Sequence, residues 1–233
     1  MIRRIGTAAA LLAAASLGCG EPRGDAPRIV RTHYADGTLW SESSFLGGER
    51  HGPTRTYWRD GTLRSSDEYD HGVLHGPSTA SFEDGTPMYR GAYHEGRRDG
   101  RWERWYESGA RKSAGTYEDG VRRGEWFYAY ADGSPFVEET LPSDGRPGVE
   151  RWYREDGTME REIVTDPDAR VVETRMWHAD GKPSVEMRQV DGRLEGECRA
   201  WAADGTLLPM LSGVFERGVR VADLPGAAVD DGE

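Results

Sequence analysis

Residues 57–76, YWRDGTLRSSDEYDHGVLHG, read as two short strands joined by one turn and followed by another. Asp60-Gly61 is a strong hairpin signal, because Gly accepts positive φ and Asp tolerates it. Residues 52–59 alternate and carry Tyr57 and Trp58 towards that turn, and residues 62–69 return with Leu63 and Tyr69. Gly72 and Gly76 punctuate the connection to the next unit. The same grammar returns down the chain. Gly37, Gly61, Gly85, Gly109, Gly133, Gly157, Gly181 and Gly205 are spaced 24 residues apart, which makes eight copies, most marked by Asp-Gly and one by Ser-Gly. The chain is therefore an array, and its columns matter more than any single residue.

The unit reads G-x-x-x-x-aromatic-aromatic-x-D-G-T, then about seven residues, then aromatic-x-x-G-x-x-x-G. The Trp58 column runs Tyr34, Trp58, Phe82, Tyr106, Tyr130, Arg154, His178, Ala202, and the Tyr69 column runs Phe45, Tyr69, Tyr93, Tyr117, Leu141. Connection glycines stand at Gly48, Gly72, Gly96, Gly120 and Gly192, and again at Gly52, Gly76, Gly100, Gly124, Gly148 and Gly196. The first four copies are the cleanest. The glycine slips one place near Asp144-Gly145, both connection glycines are lost in TDPDARVV (165–172), and two residues are added near LLPMLSGVFERG (207–218).

These residues resemble the MORN-repeat variant of bacterial proteins, many of them YwqK-like and antitoxin-like, over about residues 30–220. The resemblance implies an elongated, single-layer sheet of successive hairpins. The residues themselves point the same way: an all-β repeat array at 30–222, with about 16 strands and, at ~4.8 Å per strand, a length of roughly 70 Å. Only 36% of the residues are hydrophobic and 31 are glycine, which suits a thin sheet of mutually packed units better than a thick core.

The N-terminus reads MIRRIGTAAALLAAASLGCG. Arg3 and Arg4 precede an apolar run from Ile5 to Leu17 that is short for a membrane span, which predicts an export signal over residues 1–18. Ser16 to Cys19, S-L-G-C, resembles the lipobox of bacterial lipoproteins. That resemblance implies acylation of Cys19, and Gly20 after it implies an outer-membrane address facing the periplasm or the surface. Residues 19–29 read as a flexible tether and 223–233 as a disordered acidic tail. Loss of Arg3 and Arg4 takes the formal charge from −11 to −13, which disfavours nucleic acid and anionic headgroups as ligands. With Cys19 acylated, Cys198 is left without a disulfide partner. It occupies the column of Trp102 and Trp126, as a packing residue would.

Pairing across Asp60-Gly61 has two solutions. A two-residue loop sets Trp58 opposite Leu63 and Thr56 opposite Ser65, with Trp102, Trp126, Tyr128 and Trp152 joining the same apolar stripe. A three-residue turn with a bulge shifts the partners by one. In the first register the other face carries Tyr57, Trp105, Tyr153, Trp177 and Trp201 among charges such as Arg55, Arg64 and Glu68. These five aromatics form the candidate binding surface, since Tyr, Trp and Arg favour interface cores. No catalytic signature and no cofactor motif is present. His71 and His75, spaced by four, invite a metal reading, but without a convincing third ligand the sequence assigns no metal site. The Glu-Asp-Gly stretches do not follow the oxygen-ligand pattern of a calcium loop, and Arg23-Gly24-Asp25 lies in the tether, where chance explains it. The function expected is a non-catalytic, lipid-anchored envelope scaffold that binds a protein. The alternatives are an antitoxin-like protein neutralising a toxin and a glycan- or wall-binding protein.

Overall fold

The computed structural model describes residues 26–142, 148–166 and 168–224. The expected signal segment and Cys19 lie outside them, as do most of the tether and most of the acidic tail. The described residues form one open antiparallel sheet of 18 strands and contain no helix. The first hairpins are β1 (Arg28–His33) with β2 (Leu39–Leu46), β3 (Glu49–Tyr57) with β4 (Leu63–Asp70), and β5 (Val73–Ser81) with β6 (Pro87–His94). Then come β7 (Arg97–Trp105) with β8 (Arg111–Glu118), β9 (Val121–Ala129) with β10 (Pro135–Leu141), and β11 (Val149–Tyr153) with β12 (Met159–Asp166). Last are β13 (Val171–Trp177) with β14 (Pro183–Val190), the short β15 (Arg193–Leu194) continued by β16 (Gly196–Ala200), and β17 (Gly213–Glu216) with β18 (Val219–Ala222). Two boundaries differ from expectation. β1 opens at Arg28, inside the stretch read as tether. Leu224 is buried, inside the stretch read as a disordered tail.

Two kinds of turn alternate along the two long edges. At the Asp-Gly edge the Gly61 N–H donates to the Trp58 carbonyl at 3.0 Å, the Trp58 N–H donates to the Thr62 carbonyl at 2.8 Å, and Gly61 sits at φ 89°. This is the three-residue turn with a bulge, and all eight Asp-Gly or Ser-Gly copies make the same pair of bonds. The pairing is Tyr57 with Leu63 and Thr56 with Ser65, with a register shift between them. Trp58 therefore does not face Leu63 as a two-residue loop would require, because the bulge absorbs one residue. At the other edge His71 (φ 44°) and Gly72 (φ 81°) close a two-residue loop in which both central residues are left-handed, as a type I′ hairpin needs. The second connection glycine lies in a strand rather than in the connection. Gly76, at φ 109°, sits within β5 near a register shift, and a β-carbon there would come 3.1 Å from that of Glu68.

With a single layer, neighbouring strands must bury each other's side chains. One face is aromatic. Tyr93 and Tyr117 meet Trp102 edge-on at 5.1 and 6.2 Å, Tyr117 meets Trp126 at 4.9 Å, and Trp126 stacks on Tyr128 at 6.0 Å. Room for the indoles comes from glycine on the preceding strand. A β-carbon at Gly91 would fall 2.3 Å from Trp102, and one at Gly115 would fall 2.1 Å from Trp126. The pair of columns 11 residues apart continues with other solutions. Asp67 accepts from Ser78 at 2.6 Å, Glu139 precedes Glu150, Ile163 precedes Thr174, and Met187 precedes Cys198. Cys198 is buried with its thiol pushed up by burial, so it packs where the tryptophans do.

Gly115→Ala is expected to destabilise the array by about 1–3 kcal/mol through overpacking. Gly115→Ala combined with Trp126→Ala should lose less than the sum of the two single changes. Urea melts of the four proteins check this, and strict additivity would show that the two positions do not share the space.

Candidate interaction surface

The face opposite the aromatic one is built on a single continuous row. Along the strand pairing from β1 to β16, each residue lies opposite the next: Arg31, Glu42, Arg55, Ser66, Thr79, Arg90, Glu103, Ala114, Phe127, Glu138, Arg151, Glu162, Arg175, Glu186, Arg199. Outside its centre the charges alternate in sign. Arg31 pairs with Glu42 at 2.6 Å, Arg151 with Glu162 at 2.9 Å, and Arg175 with the same Glu162 at 3.4 Å. Directly opposed charges of unlike sign favour each register.

Most of the row is half-buried, and Glu103 is its one buried charge, with a side chain only 5% exposed. Arg90 grips it at 2.5 Å, and Arg101 and Arg111 stand at 3.5 Å. Burial pushes its carboxyl up, but the hydrogen bond and charge of Arg90, helped by Arg101 and Arg111, outweigh that and hold it below the ordinary value. Beside it the row turns apolar at Ala114 and Phe127. A shallow groove opens there, walled by Arg101 and Arg111 on one side and by Glu138 and Arg151 on the other.

The five candidate aromatics, Tyr57, Trp105, Tyr153, Trp177 and Trp201, all end strands or bridges at the Asp-Gly edge, and all are half-buried. They share one column, in which each faces a residue of the returning strand: Leu63, Arg111, Met159, Pro183 and Leu207. The five are not all brought into one platform, although Tyr153, Trp177 and Trp201 stand on consecutive hairpins. Ser81 and Ala129 hold the same column in the hairpins between Tyr57, Trp105 and Tyr153, so those rings stand two hairpins apart, about 19 Å at the usual strand spacing. Trp105 lies under the Arg90 guanidinium at 5.4 Å, and the Tyr153 hydroxyl donates to Glu138 at 2.9 Å, so two of the five do join the charged row. Arg55 shares that row, whereas Arg64 stacks over Trp58 at 4.6 Å.

The Trp58 column has a role that its aromatic look concealed. Its side chains donate to the main-chain carbonyl 23 residues later, at the end of the next hairpin's strand: Tyr34 to Tyr57 at 2.8 Å, Trp58 to Ser81 at 3.2 Å, Tyr106 to Ala129 at 2.9 Å, Tyr130 to Tyr153 at 3.0 Å. Arg154 does the same to Trp177, and His178 to Trp201 at 2.9 Å. A carbonyl only accepts, so His178 carries its proton on Nε2 for this bond. The aspartates of the same edge are also committed. Asp36, Asp60, Asp84, Asp132, Asp156, Asp180 and Asp204 accept hydrogen bonds from the residue two ahead, which hold their carboxyls below the usual range.

The aromatic face holds its own perturbed group. Glu139 lies opposite Glu150, and burial with that like charge raises its carboxyl although Arg122, at 2.7 Å, lowers it. The histidines are arranged differently from the sequence expectation. His71 meets His51 and Asp70 rather than His75.

The stretch from Arg98 in β7 through the Ser108-Gly109 turn to Asp119 is where a comparison with known families succeeds. Residues 98–119 match the MORN repeat variant. The match is to a repeat module rather than to a catalytic family. Its 24-residue relatives in the same chain reproduce the turn bonds of the matched unit. No curated protein matched the chain.

Glu103→Gln is expected to cost about 1–3 kcal/mol at neutral pH, the worth of hydrogen bonds to a charged group. Because the folded carboxyl titrates below its unfolded value of 4.5, its contribution is full above that value and is lost as pH falls through the lower folded value. Melts from pH 7 to pH 3 should show wild type and variant converging in acid. Tyr130→Phe should cost about 1 kcal/mol for the lost bond to Tyr153, and Phe82, which has no donor in the same column, gives the reference: Phe82→Tyr should not destabilise.

Proposed function

We propose that the protein is a non-catalytic repeat scaffold that docks a protein partner on its charged face, held at the cell envelope by lipid on Cys19. The observation that carries the reading is the interruption of the charged row at Ala114 and Phe127. There an apolar floor is flanked by Arg101, Arg111 and Arg151 and neighboured by Trp105 and Tyr153. Interface centres are apolar and rich in aromatic and Arg side chains, with a polar rim. A row of paired charges gives such a rim a fixed register along the sheet. The match to a MORN repeat variant is compatible with a scaffold. The anchor is supported by the basic and apolar leader and by the S-L-G-C stretch that ends at Cys19.

The test combines envelope fractionation with affinity capture of the full chain, Cys19→Ala and Phe127→Arg. The natural protein should float with outer membrane while Cys19→Ala does not, and both should retain one common protein that Phe127→Arg loses by tenfold or more. Retention by all three removes the charged face from the binding surface. If natural protein and Cys19→Ala both stay in the cytoplasm, the anchor is wrong and neutralisation of a cytoplasmic toxin takes its place.

A further inference from the structure

At the edge opposite the Asp-Gly turns, two histidines from different parts of one hairpin close on a single carboxylate. His51 lies in β3 beside Gly52, and Asp70 ends β4 beside Tyr69; since Gly52 pairs with Tyr69, His51 and Asp70 lie one step further along the same ladder. His71 comes directly after Asp70 as the first residue of the left-handed loop. The His71 Nδ1 stands 2.6 Å from Asp70 Oδ1 and the His51 Nδ1 3.1 Å from the same oxygen. The two imidazole rings lie 4.9 Å apart and steeply inclined, and one ligand atom from each of the three residues falls within 4.8 Å of the others.

We propose that His51, Asp70 and His71 form a binding site for a divalent first-row transition ion of the zinc class. Two imidazoles and one carboxylate are the ligand set that borderline ions such as Zn²⁺, Co²⁺ and Ni²⁺ prefer, and three protein ligands leave at least one position for water or another donor. A second observation supports ligation over simple ion pairing. The His51 Nδ1 is shut off from solvent without a hydrogen-bond partner, although Asp70 Oδ1 is within ion-pairing distance. The distance is short enough for attraction and the direction is wrong for a hydrogen bond. The His51 Nδ1 thus keeps its lone pair free for an ion, whereas the His71 Nδ1 hydrogen-bonds Asp70 Oδ1 and a proton shared there is released when the ion binds.

The repeat supplies an internal comparison. One period on, the equivalent positions are His75, His94 and Glu95, and the His75 and His94 rings lie 5.1 Å apart. One period further they are Asp99, Glu118 and Asp119, with no imidazole, and Arg123 stands 3.6 Å from Glu118. Metal-binding character is thus concentrated where β3 to β6 meet this edge. An ion on His51, Asp70 and His71 would tie the start of β3 to the β4–β5 turn, reinforcing the bond that the Gly72 N–H donates to the Arg50 carbonyl at 2.7 Å.

The test is titration of the full chain, metal-free and reduced, with Zn²⁺ against a chromophoric chelator, and then Co²⁺ absorption. Wild type should bind Zn²⁺ and give the visible bands of low-coordinate Co²⁺. His51→Ala, Asp70→Asn and His71→Asn should each weaken binding by roughly tenfold or more. Asn is chosen at 71 because it accepts the left-handed backbone, and unchanged thermal midpoints without metal would show that the variants fold. Saturating Zn²⁺ should raise the midpoint of wild type and leave that of Asp70→Asn unmoved. His75→Ala should retain the site. Zn²⁺ binding that survives both His51→Ala and Asp70→Asn, or that depends on His75 and not on Asp70, would overturn this ligand assignment.

Discussion

Every alignment in this sheet depends on the eight identical turns at the Asp-Gly edge. Each fixes the register of its hairpin by placing one glycine in the left-handed region and one extra residue in a bulge. A slip of one residue would move every side chain of a strand to the opposite face. In a two-layer protein a packed core resists such a slip. The described residues form no second layer, so register rests on the turns and on side chains that reach from one hairpin to the next. The Tyr34, Tyr106 and Tyr130 hydroxyls bond a carbonyl 23 residues on, so these turns are tied to the end of the next hairpin and the period is held over distance.

Once register is fixed, the two faces solve the burial problem in opposite ways. On the aromatic face, volume is traded between columns 11 residues apart. Gly91 and Gly115 make way for Trp102 and Trp126, while Asp67 and Ser78 replace the pair of shapes by a hydrogen bond. A glycine inside a strand normally weakens it, and here the loss is offset because an indole covers the exposed backbone. On the charged face, burial is shallow and opposite charges face each other across strands. Exposed pairs of this kind contribute little each, so their larger effect is on specificity, since a register shift would oppose like charges.

Much of the architecture was legible in the sequence, because glycine at positive φ cannot be replaced cheaply and so marks every turn of the Asp-Gly edge. The choice between turn types was not legible. Asp-Gly is compatible with a two-residue loop and with a three-residue turn, and only the backbone bonds of Trp58 separate them. Within the strands the first option still set Thr56 against Ser65, since the bulge is confined to the turn. The charged row was hidden for a different reason. Its members lie in two repeat columns joined by alternating steps of 11 and 13 residues, 31, 42, 55, 66 and onward, and neither column keeps one residue type: the first runs Arg31, Arg55, Thr79, Glu103, Phe127. The His51–Asp70 contact obeys the same hairpin register as Thr56 with Ser65, whereas the tempting spacing of His71 and His75 does not.

The later copies show what the Trp58 column requires. Read as apolar, it fails at Arg154 and His178, and the array looks degenerate from there on. Read as a side chain that donates to a carbonyl in the next hairpin, it does not fail at those two positions. Tyr, Trp, Arg and His differ in size, charge and hydrophobicity, yet all carry an N–H or O–H at the end of a reach long enough to span two strands. Phe82 and Ala202 are the members that cannot donate. Phe82 sits between the copies with the densest ring contacts, where packing around Tyr89 and Trp102 holds the hairpins together without it. A column can therefore keep its physical role while losing its chemical resemblance, and in this sheet the role is a hydrogen bond between neighbours rather than a place in a core.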